Sequence, residues 1–254
     1  MLWLIPMAGR GLRTQPLGEF KPFIEIRGYK IIHWLLFSFK PNIKNQDKFI
    51  FVTTSYFFEK FAVRKELEFI FKSLGLKNKF EILISENFLA GNSCSIYLAK
   101  EWLEREGPVS IACCDQFTDF LLPSEILPQT GYLTLGLDFG TNKGYVEIEE
   151  GLIKKFAEKE PISNLASSGI FIVSEGKALV TALERQFQEK AISTNREYCI
   201  GQAFNYLIKD GFKIYPLLPK AHYSLGSIPA INYFASSTIA DSISKFWSEK
   251  NVLV

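Results

Sequence analysis

The sequence predicts an α/β protein built on a mostly parallel, doubly wound sheet. Short apolar runs of strand length alternate with amphipathic stretches of helix length, the pattern of strands joined by helical crossovers. Polar, glycine-bearing segments and one aspartate fall at the carboxyl ends of those runs, where such sheets hold ligands. The chain has 254 residues, 47% hydrophobic and 15% aromatic, which is ample for a substantial core.

The elements follow in order. LWLIP, residues 2–6, is too short for a signal peptide and is followed at once by Arg10 and Arg13, so it reads as a buried first strand. After the loop to Pro22, FIEI (23–26) is a short alternating segment and Arg27-Gly28 a turn. YKIIHWLLFSFK (29–40) reads as a mostly buried helix, with His33 and Trp34 as packing residues. KFIFVTT (48–54) is the next buried strand, and residues 56–75 read as one amphipathic helix stopped by Gly75. A strand over 79–85, a helix over 94–105 and a strand over 108–114 that runs into Asp115 complete the first half.

The second half changes character. GYLTLGLDF (131–139) reads as a strand, and residues 144–160 alternate about the turn Glu149 to Gly151, which predicts a hairpin closing with Glu158-Lys159. A polar loop and strand over 164–176, an amphipathic helix over 177–190, a helix near 198–209 and a strand near 212–217 follow. No Pro/Gly/Ser-rich linker and no internal repeat divides the chain, so residues 1–254 read as a single domain.

Composition narrows the function. The net charge is +2, with no basic stripe, so neither nucleic acid nor a membrane surface is an expected partner. No apolar run reaches the roughly 18 residues that span a bilayer. Four cysteines without C-x-x-C spacing and only two histidines disfavour structural zinc and a disulfide scaffold, which fits a cytoplasmic location.

Three segments carry chemistry. Gly9 and Gly11 let the backbone approach a ligand with N–H groups turned to phosphate oxygens. Arg13 adds a planar charged fork and Lys21 a mobile charge, so the loop suits a polyphosphate. It is neither a Walker A motif nor G-x-G-x-x-G, since Thr14 stands where a third glycine belongs. Gly91 and Asn92, with Ser93 before a helix, could offer backbone groups and an amide to a nucleobase, or serve as an ordinary helix cap. Asp115, leaving an apolar strand beside a phosphate loop, suits Mg²⁺, or opens the turn before Phe117.

Together these residues resemble a known family. MAGRGLRTQPLGEFKPFIEIRGYKIIHW is similar to the opening signature of the sugar-phosphate nucleotidyltransferases, the nucleoside-diphosphate-sugar pyrophosphorylases. AGNSCSIYLA, IACCDQF, the hairpin ending in Glu158-Lys159, NLASSGIFIVS and YSLGSIP resemble further family segments in the same order. The resemblance implies a GT-A-like (Rossmann-like) α/β/α sandwich with a nucleotide-binding half, 1–120, and an acceptor-binding half, 121–254. It implies transfer of a nucleoside monophosphate from a nucleoside triphosphate to a sugar phosphate or similar small phosphate, with release of pyrophosphate. The product would be an activated precursor for surface polysaccharide, and a homo-oligomer is compatible.

By the same resemblance, Arg13, Lys21 and Asp115 are catalytic, with Asp115 holding Mg²⁺. Ala8, Gly9, Arg10, Gly11, Gly91 and Asn92 meet the nucleotide, and Glu158, Lys159 and Gly169 meet the acceptor. Two departures stand out. Ser224 occupies the place where many relatives carry a second metal-binding Asp, so Asp115 works with phosphates and water or another acid such as Asp119 moves in. Arg10 stands between the two glycines, and Leu12 precedes Arg13 where a small residue is usual. The alternatives are a GT-A glycosyltransferase, although Asp115-Gln116-Phe117 is not its usual Asp-x-Asp, and a degenerate homologue that binds nucleotide without turnover.

Overall fold

In the computed structural model, described for residues 1–105 and 107–249, the chain forms β1 (Leu2–Pro6), the ribbon strands β2 (Glu25–Ile26) and β3 (Tyr29–Lys30), α1 (Ile31–Ser38), β4 (Lys48–Thr54), α2 (Ser55–Lys60), α3 (Val63–Ser73), β5 (Phe80–Ser85), α4 (Asn92–Tyr97), α5 (Lys100–Arg105), β6 (Val109–Ala112) and β7 (Gln116–Asp119). The second half adds β8 (Thr130–Leu137), β9 (Gly144–Glu149), β10 (Leu152–Glu158), β11 (Leu165–Val173), α6 (Gly176–Gln188), α7 (Ile200–Lys209), β12 (Lys213–Leu217), β13 (Ala221–Ser224), α8 (Ile228–Ala235) and α9 (Thr238–Glu249).

β1 is buried throughout because it lies between parallel neighbours, β4 and β6, with β5 parallel beyond β4. Such a strand needs apolar residues on both faces. Trp3 and Ile5, with Phe49 and Phe51 of β4, enter one core, while Leu2 and Leu4, with Ile50 and Val52, enter the other. α1 and α3 cover the first core, and α5, α6 and α7 cover the second, which gives the three layers. Truncating Phe51 or Trp3 to Ala would cost about 3–5 kcal/mol.

The second half turns the sheet mixed. β11 runs antiparallel to β6, β8 and β9, and β10 runs antiparallel to β9, while β12 is parallel to β8. In the nine-stranded sheet β1, β4, β5, β6, β8, β9 and β12 therefore point one way, and only β10 and β11 oppose them. The sheet is thus mostly parallel. β7 and β13 leave it as a separate antiparallel ribbon at the carboxyl end of β6.

Several elements differ from expectation. Residues 56–75 form two helices, because Ala62 adopts a left-handed conformation, φ 46°; the break lets Phe57 and Phe61 pack against Phe20 below the glycine loop. The helix expected over 94–105 divides into α4 and α5. α1 begins at Ile31, not Tyr29, since Tyr29 and Lys30 pair with β2.

Candidate active site

The glycine loop is fixed at both ends. Met7 N donates to Val52 O at 2.7 Å, carrying β1's alignment one residue past the strand. Ala8 is buried, whereas Gly9 and Arg10 are exposed. Gly11 is left-handed (φ 61°), and a Cβ there would stand 3.3 Å from Lys21 Cβ, so glycine brings the loop onto the lysine stem. Thr14 is buried and donates through both its N–H and its hydroxyl to Gly11 O, at 2.9 and 3.0 Å, closing a 3-10 turn over Leu12–Leu17. Arg10 rests over the Phe88 ring, 5.2 Å from its centroid.

Lys21 opens a second 3-10 turn, Lys21–Phe23. Its Nζ donates to Asp115 Oδ2 at 2.9 Å, with the two side chains 16% and 25% exposed. Burial pushes the Asp115 carboxyl upward, but the charge and hydrogen bond of Lys21, aided by Arg13, outweigh it and hold the acid below its ordinary 3.8. The Asp115 charge in turn raises Lys21 against the burial that would lower it. Both therefore stay ionised at neutral pH. Cys114 is a poor nucleophile: burial, then the Asp115 charge, push its thiol up to about 12.

Leu225 N donates to Asp115 O at 2.7 Å, drawing the turn after β13 against the aspartate. A Cβ on Gly226 would meet Asp115 Oδ2 at 2.9 Å, Arg13 Nη2 at 3.3 Å and Ser224 Oγ at 3.6 Å. Arg13, Asp115 and Ser224 thus gather round one glycine, with Lys21 bonded to the aspartate. Asp119 does not: it pairs with Ala221, three positions along the ribbon from the Gln116–Ser224 pair and so roughly 10 Å away. Among the described residues no three His, Cys, Asp or Glu side chains converge as a metal cage. The donor set here, one carboxylate beside a hydroxyl, fits Mg²⁺ if substrate phosphates and water complete it.

The 86–93 segment is held from the second half of the chain. Tyr198 N donates to Ala90 O at 2.7 Å, and Ser93 N donates to Tyr198 O at 3.0 Å. Gly91 lies inside this bracket with φ 119°, and a Cβ would stand 2.3 Å from Tyr198 O. Asn92 Oδ1 accepts from Ile200 N at 2.9 Å and its Nδ2 faces Cys113 Sγ at 3.9 Å. The amide therefore caps α7, not its own helix.

Where β6 stops, β9 takes its place beside β11, through Tyr145 and Ala166. Glu158 pairs with Gly144 at this junction, where a Cβ on Gly144 would meet Glu158 Oε2 at 2.9 Å. Burial raises Glu158 above its ordinary 4.5, Lys159 opposes that, and Glu197 adds to it. Lys159 is left-handed, φ 59°, and its Nζ lies 3.8 Å from Glu197 Oε2. Gly169, φ 87°, sits on the Gln116 carboxamide. Sequence reading missed Glu197, Gln116 and Tyr198, which no local pattern marks. A separate groove of about 620 Å³ lies against Phe37, Pro41, Phe117, Ile239 and Ile243, with Lys40 and Asp119 also in its lining, on the other face of the ribbon.

No protein-family model matches the sequence, and no curated protein matches it. Solved structures do match in fold. A nucleoside-diphosphate-sugar pyrophosphorylase from Vibrio cholerae RC9 superimposes with a TM-score of 0.73 at 21% identity, covering 93% of this chain and 100% of that one. An inositol-1-phosphate CTP transferase from T. maritima gives 0.71 at 13% identity, with 98% and 96% covered. A CTP:phosphocholine cytidylyltransferase from Streptococcus pneumoniae gives 0.64 at 13% identity, with 92% and 96% covered. The GT-A-like α/β/α sandwich expected from the sequence is the fold these share.

Proposed function

We propose that the protein is a nucleotidyltransferase, moving a nucleoside monophosphate from a nucleoside triphosphate to a sugar phosphate or similar small phosphate and releasing pyrophosphate. The observation that carries this reading is the meeting of Arg13, Lys21 and Asp115 beside the glycine loop, at the carboxyl ends of parallel strands. The names of the fold relatives support it.

An acceptor phosphate oxygen attacks the α-phosphorus in line; the new P–O bond forms as the α–β bridge bond breaks, and the electron pair leaves with pyrophosphate. Such chemistry needs positioning and charge neutralisation, little more. The Gly9–Gly11 backbone and Arg13 receive the β- and γ-phosphates, with Ala8 and Arg10 on the same loop. Lys21, held ionised by Asp115, faces the α-phosphate. Asp115 would hold Mg²⁺, which when bound supplies further charge neutralisation. Gly91 and Asn92 shape the turn for the base, with the Asn92 amide oxygen also bracing it through Ile200. Glu158 meets acceptor hydroxyls, Lys159 the acceptor phosphate and Gly169 the pocket backbone. Residues 1–120 thereby supply most of the nucleotide site and 121–254 most of the acceptor site, and the product is an activated precursor for surface polysaccharide.

Incubation with Mg²⁺, each common triphosphate and a panel of sugar phosphates tests the reading. Acceptor-dependent pyrophosphate is the expected result. Nucleoside diphosphate made from an activated sugar would indicate a glycosyltransferase, and binding without product would indicate that Ser224 marks a chain without turnover.

A further inference from the structure

Two buried side-chain atoms beside the acceptor end have no hydrogen-bond partner among the described residues: Gln116 Nε2 and Ser168 Oγ, in residues 3% and 2% exposed. Buried polar groups are nearly always paired, so each such orphan asks for an explanation. They lie on adjoining strands, β7 and its neighbour β11. Gln116 follows Asp115 directly and stands opposite Ser224 in the ribbon, while Thr118 stands opposite His222. Paired and alternate positions share a face, so these four residues form one polar face. The intervening Phe117 and Tyr223 pack on Phe234 from the other face.

The polar face is turned to a bulge in β11. The pairing of β11 with β8 slips between Ser167 and Phe171, and Gly169 within the slip has φ 87°. Thr118 Oγ1 donates to Ser168 O at 3.4 Å. A Cβ on Gly169 would stand 2.2 Å from Gln116 Oε1 and 2.8 Å from Nε2, so the bulge and the absent side chain together make the seat for the carboxamide. The fold thus makes room for an amide and then gives its nitrogen nothing to bind.

We propose that Gln116 is a specificity-determining residue of the acceptor site, its carboxamide donating to an oxygen on the body of the acceptor. The ligand selected is a phosphate ester whose body carries hydroxyls, in preference to one with a quaternary ammonium or to bare phosphate. The identification of that ligand as an acceptor rests on the nucleotidyltransferase reading. His222 shares a hydrogen bond with Thr118 Oγ1 at 3.0 Å on the same face. Such a face offers hydrogen bonds to hydroxyl groups. A buried donor is satisfied by a hydroxyl oxygen and left unpaired by an analogue without one, the situation in which hydrogen-bonding sites discriminate most strongly.

The test is calorimetric titration of the full chain with glucose 1-phosphate, myo-inositol 1-phosphate, phosphocholine and inorganic phosphate, with Mg²⁺ and the α,β-methylene analogue of each common triphosphate present. At least one hydroxylated ester is expected to bind about tenfold or more tightly than phosphocholine and inorganic phosphate. Gln116→Leu is expected to erase that margin while its melting temperature is unchanged or raised, because it removes the orphaned group. A wild type that binds the four alike, or none of them, overturns the proposal, as does a leucine variant that keeps the margin. If Gln116→Leu does not fold, Gln116→Met, unbranched and closer in length, gives the same decision. A pyrophosphate-release assay run alongside separates the two ideas: no release with any pair ends the transferase reading, while a Gln116-dependent preference for hydroxyls stands.

Discussion

The two lysines proposed to meet phosphate have opposite partners. Lys21 is hydrogen-bonded to Asp115 at 2.9 Å with both side chains mostly buried, whereas Lys159, itself only 17% exposed, lies 3.8 Å from Glu197, whose side chain is 54% exposed. A close pair shielded from water is strong, and a loose pair at the surface is screened to little. Lys21 is therefore fixed by its carboxylate before any ligand arrives. Lys159 is placed by its left-handed backbone, and its ammonium is at the disposal of a ligand. On the proposed reading the first lysine belongs to the fold as much as to the chemistry, and the second to the ligand.

The sharpest way to break that contrast is at the first pair. Asp115→Asn and Lys21→Ala are each expected to lower turnover by roughly 10³-fold in a pyrophosphate assay, with circular dichroism unchanged. Asp115→Asn strips a mostly buried ammonium of its counter-charge, so urea unfolding should show a loss of about 1–3 kcal/mol. Wild-type rates in either variant would remove the mechanism. Lys159→Ala is expected to act on binding alone, raising acceptor KM about 10–100-fold while stability moves by less than about 0.5 kcal/mol. A stability loss as large as that of Asp115→Asn would erase the difference between the pairs.

Opposite shifts in pH response sharpen the comparison. Asp115 is held below 3.8, so its contribution to stability is present above 3.8 and lost as pH falls through its folded value. The unfolding midpoints of wild type and Asp115→Asn should converge on acidification. Glu158 is raised above 4.5, so it favours the folded state fully below 4.5 and loses that advantage as pH rises through its folded value. Glu158→Gln should gain on wild type as pH increases, and parallel curves would contradict the assignment. The smallest effect is expected from Ser224→Asp, which adds a carboxylate next to Asp115 and should tighten Mg²⁺ by roughly tenfold or less in a titration. Unchanged affinity would show that this position is no metal site.

Legibility followed range. β1, β4 and the hairpin about Glu149 to Gly151 were readable because their signal is local: continuous apolar runs, strict alternation, a glycine at the turn. The break at Ala62 was not, since neither Gly nor Pro marks it and the packing of Phe61 on Phe20 that accompanies it joins residues about forty positions apart. The β7–β13 ribbon was hidden because each strand has four residues and its partner lies about a hundred residues away. In the site, Arg13, Lys21 and Asp115 had chemical types that announce themselves. Gln116 and Glu197 are ordinary polar residues whose meaning comes from what surrounds them, and Asn92 looked like a base contact or a local cap when its partner is Ile200.

The bracket round Gly91 has a consequence for inheritance. The turn proposed to meet the nucleobase is set by hydrogen bonds to a residue more than a hundred positions later, and its capping amide spans 108 positions to Ile200. A chimera cut near residue 120 would keep the letters of that turn and lose the strut that gives it shape. Base preference in this scaffold should therefore travel with residues 193–200 as well as with 86–93, and recombination that separates the two segments should scramble it.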